Sequence, residues 1–149
     1  MKYLFLSILS LLILSCKAEN QKIQFGVDLC SNCKMTISDS KYGAEIVTDK
    51  GKIYLFDSIE CLISKLTQVD KNIASSYKSF WTVDYLSKGD LIDAKKALYL
   101  RSEALHSPMG LNLAAFKDRK AIDKFIKSDS DKVISFLEVM EIVKKEWDL

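Results

Sequence analysis

From residue 44 onward the chain alternates short apolar runs with polar breaks, and the period of each run predicts its form. Ala44-Glu45-Ile46-Val47-Thr48 has strand composition, Asp49-Lys50-Gly51-Lys52 reads as a turn, and Ile53-Tyr54-Leu55-Phe56 returns as a second strand. Asp57 or Ser58 is placed to cap a helix running to about Val69, where Cys61, Leu62, Leu66 and Val69 recur at helical spacing. Lys78 to Tyr85 reads as a strand. A similar series comes next. Lys95 to Leu100 is strand-like at its end, Arg101 to Gly110 is a loop, and Leu111 to Phe116 is a strand. Asp118 caps a helix from about Arg119 to Lys127, with Ala121, Ile122, Phe125 and Ile126 turned inward. Lys132 to Phe136 is a strand and Leu137 to Trp147 a final helix, with Met140 at core spacing.

The two series superimpose when Phe56 is set on Phe116. Cys61 then falls on Ala121 and Leu62 on Ile122. This predicts an α+β fold built from two ββαβ repeats. Because Ala121 is a small apolar helix residue, Cys61 reads as a packing residue in preference to a ligand.

The first fifteen residues stand outside that pattern. Lys2 is followed by an apolar stretch from Leu4 to Leu14, broken by Ser7 and Ser10. A membrane span needs about twenty apolar residues, so the stretch reads as a signal peptide. It ends in Ile13-Leu14-Ser15-Cys16, which resembles the lipobox of bacterial lipoproteins and predicts acylation of Cys16. The expected division is a signal peptide over 1–15, lipidated Cys16 and a tether over 16–24, and one domain over 25–149. The expected location is the cell envelope, anchored to a membrane and facing the periplasm.

Removing Lys2 with the signal peptide leaves 21 of the 22 Lys and Arg residues against 20 Asp and Glu. Near-neutrality argues against a nucleic-acid binder. Of four cysteines, Cys16 is assigned to the lipid, and Cys30, Cys33 and Cys61 remain. An odd number leaves at least one thiol unpaired in an oxidising compartment.

The chemistry concentrates in Asp28-Leu29-Cys30-Ser31-Asn32-Cys33-Lys34-Met35, which lies in a loop entering the first sheet. Cys-x-x-Cys alone fits a redox dithiol, half of a zinc site or a structural disulfide. Met35 is either a core residue or a third soft donor, and thiolates with a thioether suit Cu(I). A second group sits in Leu105-His106-Ser107-Pro108-Met109-Gly110, where Pro108 and Gly110 shape a loop carrying His106 and Met109. By the repeat, this loop is expected to open the second unit much as the cysteine motif precedes the first. Against a ligand role stand a solvated loop histidine for His106 and a gap-filling residue for Met109. A single histidine offers no zinc His cluster, and no phosphate-binding glycine loop or nucleophile elbow is present.

Several of these features together resemble the NosL family. They are the lipobox at Cys16, Asp28-x-Cys30-x-x-Cys33-x-Met35-x-Ile37, Trp81-Thr82-Val83-Asp84-Tyr85, Ile92-Asp93-Ala94 with Ala97 and Tyr99, and Pro108-Met109-Gly110 followed by Ala115-Phe116. The family comprises accessory lipoproteins that supply copper to nitrous oxide reductase. The resemblance implies a two-repeat core similar to that of organomercurial lyase, Cu(I) as the bound ion, and no enzymatic activity. It implies Cys30, Cys33, Met35 and Met109 as ligands, with His106 carried over on loop position alone. One departure is Lys34, where the family usually has glycine. A cation there would lower the pKa of the neighbouring thiols. The expected function is a membrane-anchored metallochaperone delivering Cu(I) to nitrous oxide reductase or its assembly factors. The rival expectation is an envelope thiol-disulfide oxidoreductase exchanging through Cys30 and Cys33.

Overall fold

The computed structural model describes residues 20–149. The predicted signal peptide and Cys16 lie outside the described residues, and among those described no helix is long and apolar enough to cross a membrane. The elements in chain order are β1 (Ala44–Thr48), β2 (Ile53–Phe56), α1 (Ile59–Gln68), α2 (Lys71–Ala74), β3 (Tyr77–Val83), β4 (Leu91–Asp93), β5 (Leu98–Arg101), β6 (Leu113–Phe116), α3 (Arg119–Ile122), β7 (Lys132–Ile134) and α4 (Phe136–Glu146).

The strands form two antiparallel sheets, β2-β1-β3-β4 and β6-β5-β7. Each repeat places its first strand in the centre, flanked by its second and third. The registers also correspond, with Ala44 opposite Phe56 in one sheet and Leu98 opposite Phe116 in the other. The helix caps match as well. Ser58 accepts from the Cys61 N–H, and Asp118, sixty residues on, accepts from the Ala121 N–H. The predicted ββαβ duplication is therefore present in topology, register and capping. A bond from Tyr85 N–H to Ala115 C=O (2.9 Å) joins the two sheets.

Two hydrophobic clusters arise from the strand alternation. One unites Ile46, Phe56, Leu62, Tyr99 and Val139 between the sheets and helices α1 and α4. The other gathers Tyr42, Leu100, Leu105, Phe116 and Ile122 on the far side of the second sheet. Tyr99 and Leu100, adjacent in β5, point to different clusters because successive strand residues face opposite ways. The packed body also includes the start of the described chain, since Ile23 is buried and the Gln21 N–H donates to Glu45.

Four local expectations need correction. The helix expected over 119–127 stops at Ile122, because the Asp131 carboxylate accepts from the Lys127 and Ser128 N–H groups and satisfies them outside a helix. Phe125 and Ile126 still turn inward against the second cluster. The strand expected to Phe136 ends at Ile134, since Ser135 takes up the N-cap of α4 in a capping box with Glu138. The strand expected from Leu111 starts at Leu113. The loop carrying His106 and Met109 does not open the second repeat. It joins β5 to β6, where the first repeat has only the turn between β1 and β2.

Candidate metal centre

The cysteine motif folds as a small hairpin-like loop laid against the edge of the first sheet. Ile37 N–H donates to Asp28 C=O (2.9 Å), and Cys30 N–H donates to Met35 C=O (2.8 Å). Ser31 N–H reaches Leu55 C=O on β2 (2.7 Å), which fixes the loop beside the strand leading into α1. The tight reversal requires Lys34 at φ 69°, the left-handed conformation that glycine adopts without penalty. The geometry expected of a glycine is thus kept with a lysine in its place. The Lys34 ammonium folds back onto Ser31 C=O (2.8 Å).

The other half of the centre comes from the start of α1. Asp57 ends the approach from β2, and Cys61 sits four residues later, so both face the cysteine loop. The Cys30 thiol donates to Asp57 Oδ1 (3.5 Å) and the Cys33 thiol to Asp57 Oδ2 (3.3 Å). One ligand atom from each of Cys30, Cys33, Asp57 and Cys61 lies within 4.8 Å of the other three. The Asn32 amide clamps the loop to the helix, donating to Cys61 Sγ (3.8 Å) and Ser64 Oγ (3.2 Å). All three cysteines are free thiols. Cys30 and Cys61 are each 0% exposed, whereas Cys33 is half-buried, so the cluster opens to solvent on the Cys33 side.

The thiols are electrostatically unequal. Cys30 is lowered to about 6, because the Cys61 thiol and the N–H groups of Asp57, Cys33 and Asn32 together outweigh its burial. Cys33 is pushed up to about 11 by burial, with the Cys30 thiol and the Asp57 carboxylate acting the same way. Cys61 is driven upward by its bond to Cys30 and by burial. The low Cys30 value comes from hydrogen bonds, and the ammonium expected to act on the thiols is engaged by Ser31 instead. Of the three thiols, the buried Cys30 is the one whose pKa is drawn down.

Met35 stands opposite Cys30 and is 55% exposed. Met109 is half-buried and packs, like Cys33, against the main hydrophobic core to which Cys30 and Cys61 belong. His106 is exposed and is not in the group that converges on Asp57. Reading the sequence alone missed Asp57 as a candidate donor, since it reads there as a cap. Cys61, read as a packing residue, is fully buried, yet its sulfur stands with the other two. A usable signal lay in the repeat. Asp57 aligns with Lys117 and Cys61 with Ala121, so only the first copy places two donors one helical turn apart.

No curated protein matches the chain. Among solved structures, the crystal structure of the copper chaperone NosL from Shewanella denitrificans is similar in fold, with a TM-score of 0.65 and 23% sequence identity, covering 81% of this chain and 95% of that one. Residues 25–143 match the NosL family model, and with its repeat topology and cysteine loop this chain belongs to the NosL family.

Proposed function

We propose that this protein is a metallochaperone, not an enzyme, that holds one Cu(I) at the cysteine cluster. It passes the ion by ligand exchange to a copper enzyme of the cell envelope, nitrous oxide reductase being the recipient we favour. Acylated Cys16 would hold it at the membrane. The observation that carries the reading is the convergence of three thiols within 4.8 Å, one of them half-exposed. Thiolates are soft donors suited to Cu(I), and the open Cys33 side leaves room for an incoming ligand. Met35 and Met109 would complete the coordination sphere from the rim. Family membership and the copper chaperone of similar fold support the same reading.

The rival, a dithiol oxidoreductase, fits the burial pattern poorly. An exchanging thiolate must be reached by its substrate. The thiol with the lowered pKa, Cys30, is sealed, and burial pushes the pKa of the accessible Cys33 up.

The test is an anaerobic Cu(I) titration of the full chain in detergent against a competing chelator. A one-to-one endpoint is expected, abolished in Cys30→Ala/Cys33→Ala and weakened in Met35→Ala and Met109→Ala. Full affinity in the double cysteine variant, or displacement of Cu(I) by equimolar zinc, would remove the reading.

A further inference from the structure

The first turn of α1 carries a second buried acid, beside Cys61 in the chain, that does not join the donors. Glu60, adjacent to Cys61 in the first turn of α1, is 0% exposed, and its Oε2 has no hydrogen-bond partner. Its Oε1 accepts from the hydroxyl of Ser107, which lies in the β5–β6 loop of the other repeat. That hydroxyl oxygen in turn accepts from Asn112 N–H (2.9 Å) and Leu113 N–H (3.4 Å), tying down the far end of its own loop. Between these anchors Gly110 N–H returns to Ser107 C=O (3.0 Å), closing a four-residue turn with Met109 inside it. The turn that carries Met109 is therefore fastened at its first residue to the helix turn that carries Cys61.

We propose that Glu60 is a positioning residue for the copper site. Through Ser107 it seats the Met109 turn against the cysteine cluster, so that the methionine sulfur is delivered from the second repeat without Glu60 touching the ion. A first-turn carboxylate gains from the N-terminus of α1, but that gain does not require burial. A buried carboxyl with one oxygen unpartnered costs stability, whereas an apolar residue there would pack without penalty. Such a cost one residue from Cys61 makes sense if the loop must be held. The inference rests on the copper reading and adds a dependence of the site on a contact between the repeats.

The experiment measures Cu(I) affinity of the full chain by chelator competition, together with the sulfur coordination number from copper X-ray absorption. Partners that orient metal ligands are typically worth about 10–100-fold in affinity. S107A and E60M, which break the latch, are expected to weaken binding by about 10-fold and to lose one sulfur from the absorption fit. S107T, which restores a hydroxyl, should recover the affinity lost in S107A, and E60Q, which keeps an acceptor, should bind more tightly than E60M. S107A/M109A should be no weaker than M109A alone, because both remove the same sulfur. Wild-type affinity and sulfur count in S107A, or losses that multiply in S107A/M109A, would overturn the proposal. Should S107A fail to fold, equal affinities for E60Q and E60M would overturn it instead. If the wild-type chain itself binds no Cu(I), the copper reading falls and the latch's role falls with it.

Discussion

Glu45 offers a test of the fold's electrostatics that can be worked through in numbers. It sits in β1, an inner strand of the first sheet, is 0% exposed, and its two carboxylate oxygens accept from the Gln21 N–H at 3.1 and 3.0 Å. Burial pushes the carboxyl up from the ordinary 4.5 to about 7, with the Gln21 bond opposing it. A carboxyl with a raised pKa binds its proton more tightly in the folded chain. Its contribution is therefore fully present below about pH 4.5 and is lost as pH rises through about 7. At about 1.4 kcal/mol per pH unit, that gap corresponds to roughly 3 kcal/mol. Glu45→Gln keeps an acceptor for Gln21 and removes the titration. Urea unfolding of wild type and variant at pH 5, 6, 7 and 8 should show the variant gaining on wild type as pH rises, by roughly 2.5 kcal/mol between pH 5 and 8. The difference between the two proteins carries the test, because Cys30 acts with the opposite sign. Its lowered pKa makes its contribution grow as pH rises from about 6 toward 9. Parallel stability curves for the two proteins would refute the reasoning.

Other perturbations separate the parts of the centre. Cys61→Ala should cost about 1 kcal/mol of stability yet weaken Cu(I) by more than 10-fold, read by denaturation and chelator competition; unchanged affinity would make Cys61 a packing residue only. Lys34→Gly should leave the thiol titration of Cys30 unmoved, because its low pKa comes from hydrogen bonds, and should stabilise the fold by about 0.5 kcal/mol on relief of the left-handed strain. A rise in the Cys30 pKa in that variant, followed by ultraviolet thiolate absorbance, would restore the role for the ammonium. Ser58→Ala removes the cap that accepts from Cys61 N–H and should cost about 1 kcal/mol in thermal unfolding.

How much of this was legible in the sequence depended on the range of the signal. Short strand-like runs between turn signals located β1 and β2 at their observed bounds and β5 and β6 to within three residues, and the caps at Ser58 and Asp118 marked both helix starts. Leu91–Asp93 and Lys71–Ala74 are too short to show a period, and pairing with β3 is what makes a strand of the former. The long helix α1 and the brief α3 begin alike and part after the first turn; beyond it Phe125 N–H returns to Ile122 C=O, and Asp131 takes the Lys127 and Ser128 N–H groups. Cys30 and Cys33 stood out because their spacing is local. Asp57 did not, because a cap and a donor look the same until the loop folds over it.

The repeat also explains why the centre lies where it does. Two copies of a ββαβ unit begin with equivalent sites, and here the copies have diverged in complementary ways. The first copy places Asp57 and Cys61 at its helix start, where the second has Lys117 and Ala121. The second lengthens its first hairpin into the loop of Ser107 and Met109, where the first has a four-residue turn. Glu60 and Ser107 join the one change to the other. The four converging donors, Cys30, Cys33, Asp57 and Cys61, all belong to the first half of the chain, and the hairpin loop of the second copy is tied beside them through Ser107. A contact of that kind is set by the packing between repeats. Substitutions that loosen this packing without removing a sulfur, such as truncation of buried Leu105 within the β5–β6 loop, should therefore weaken metal binding before they unfold the chain. Equal midpoints for metal loss and for unfolding in such a variant would argue that the two halves move as one.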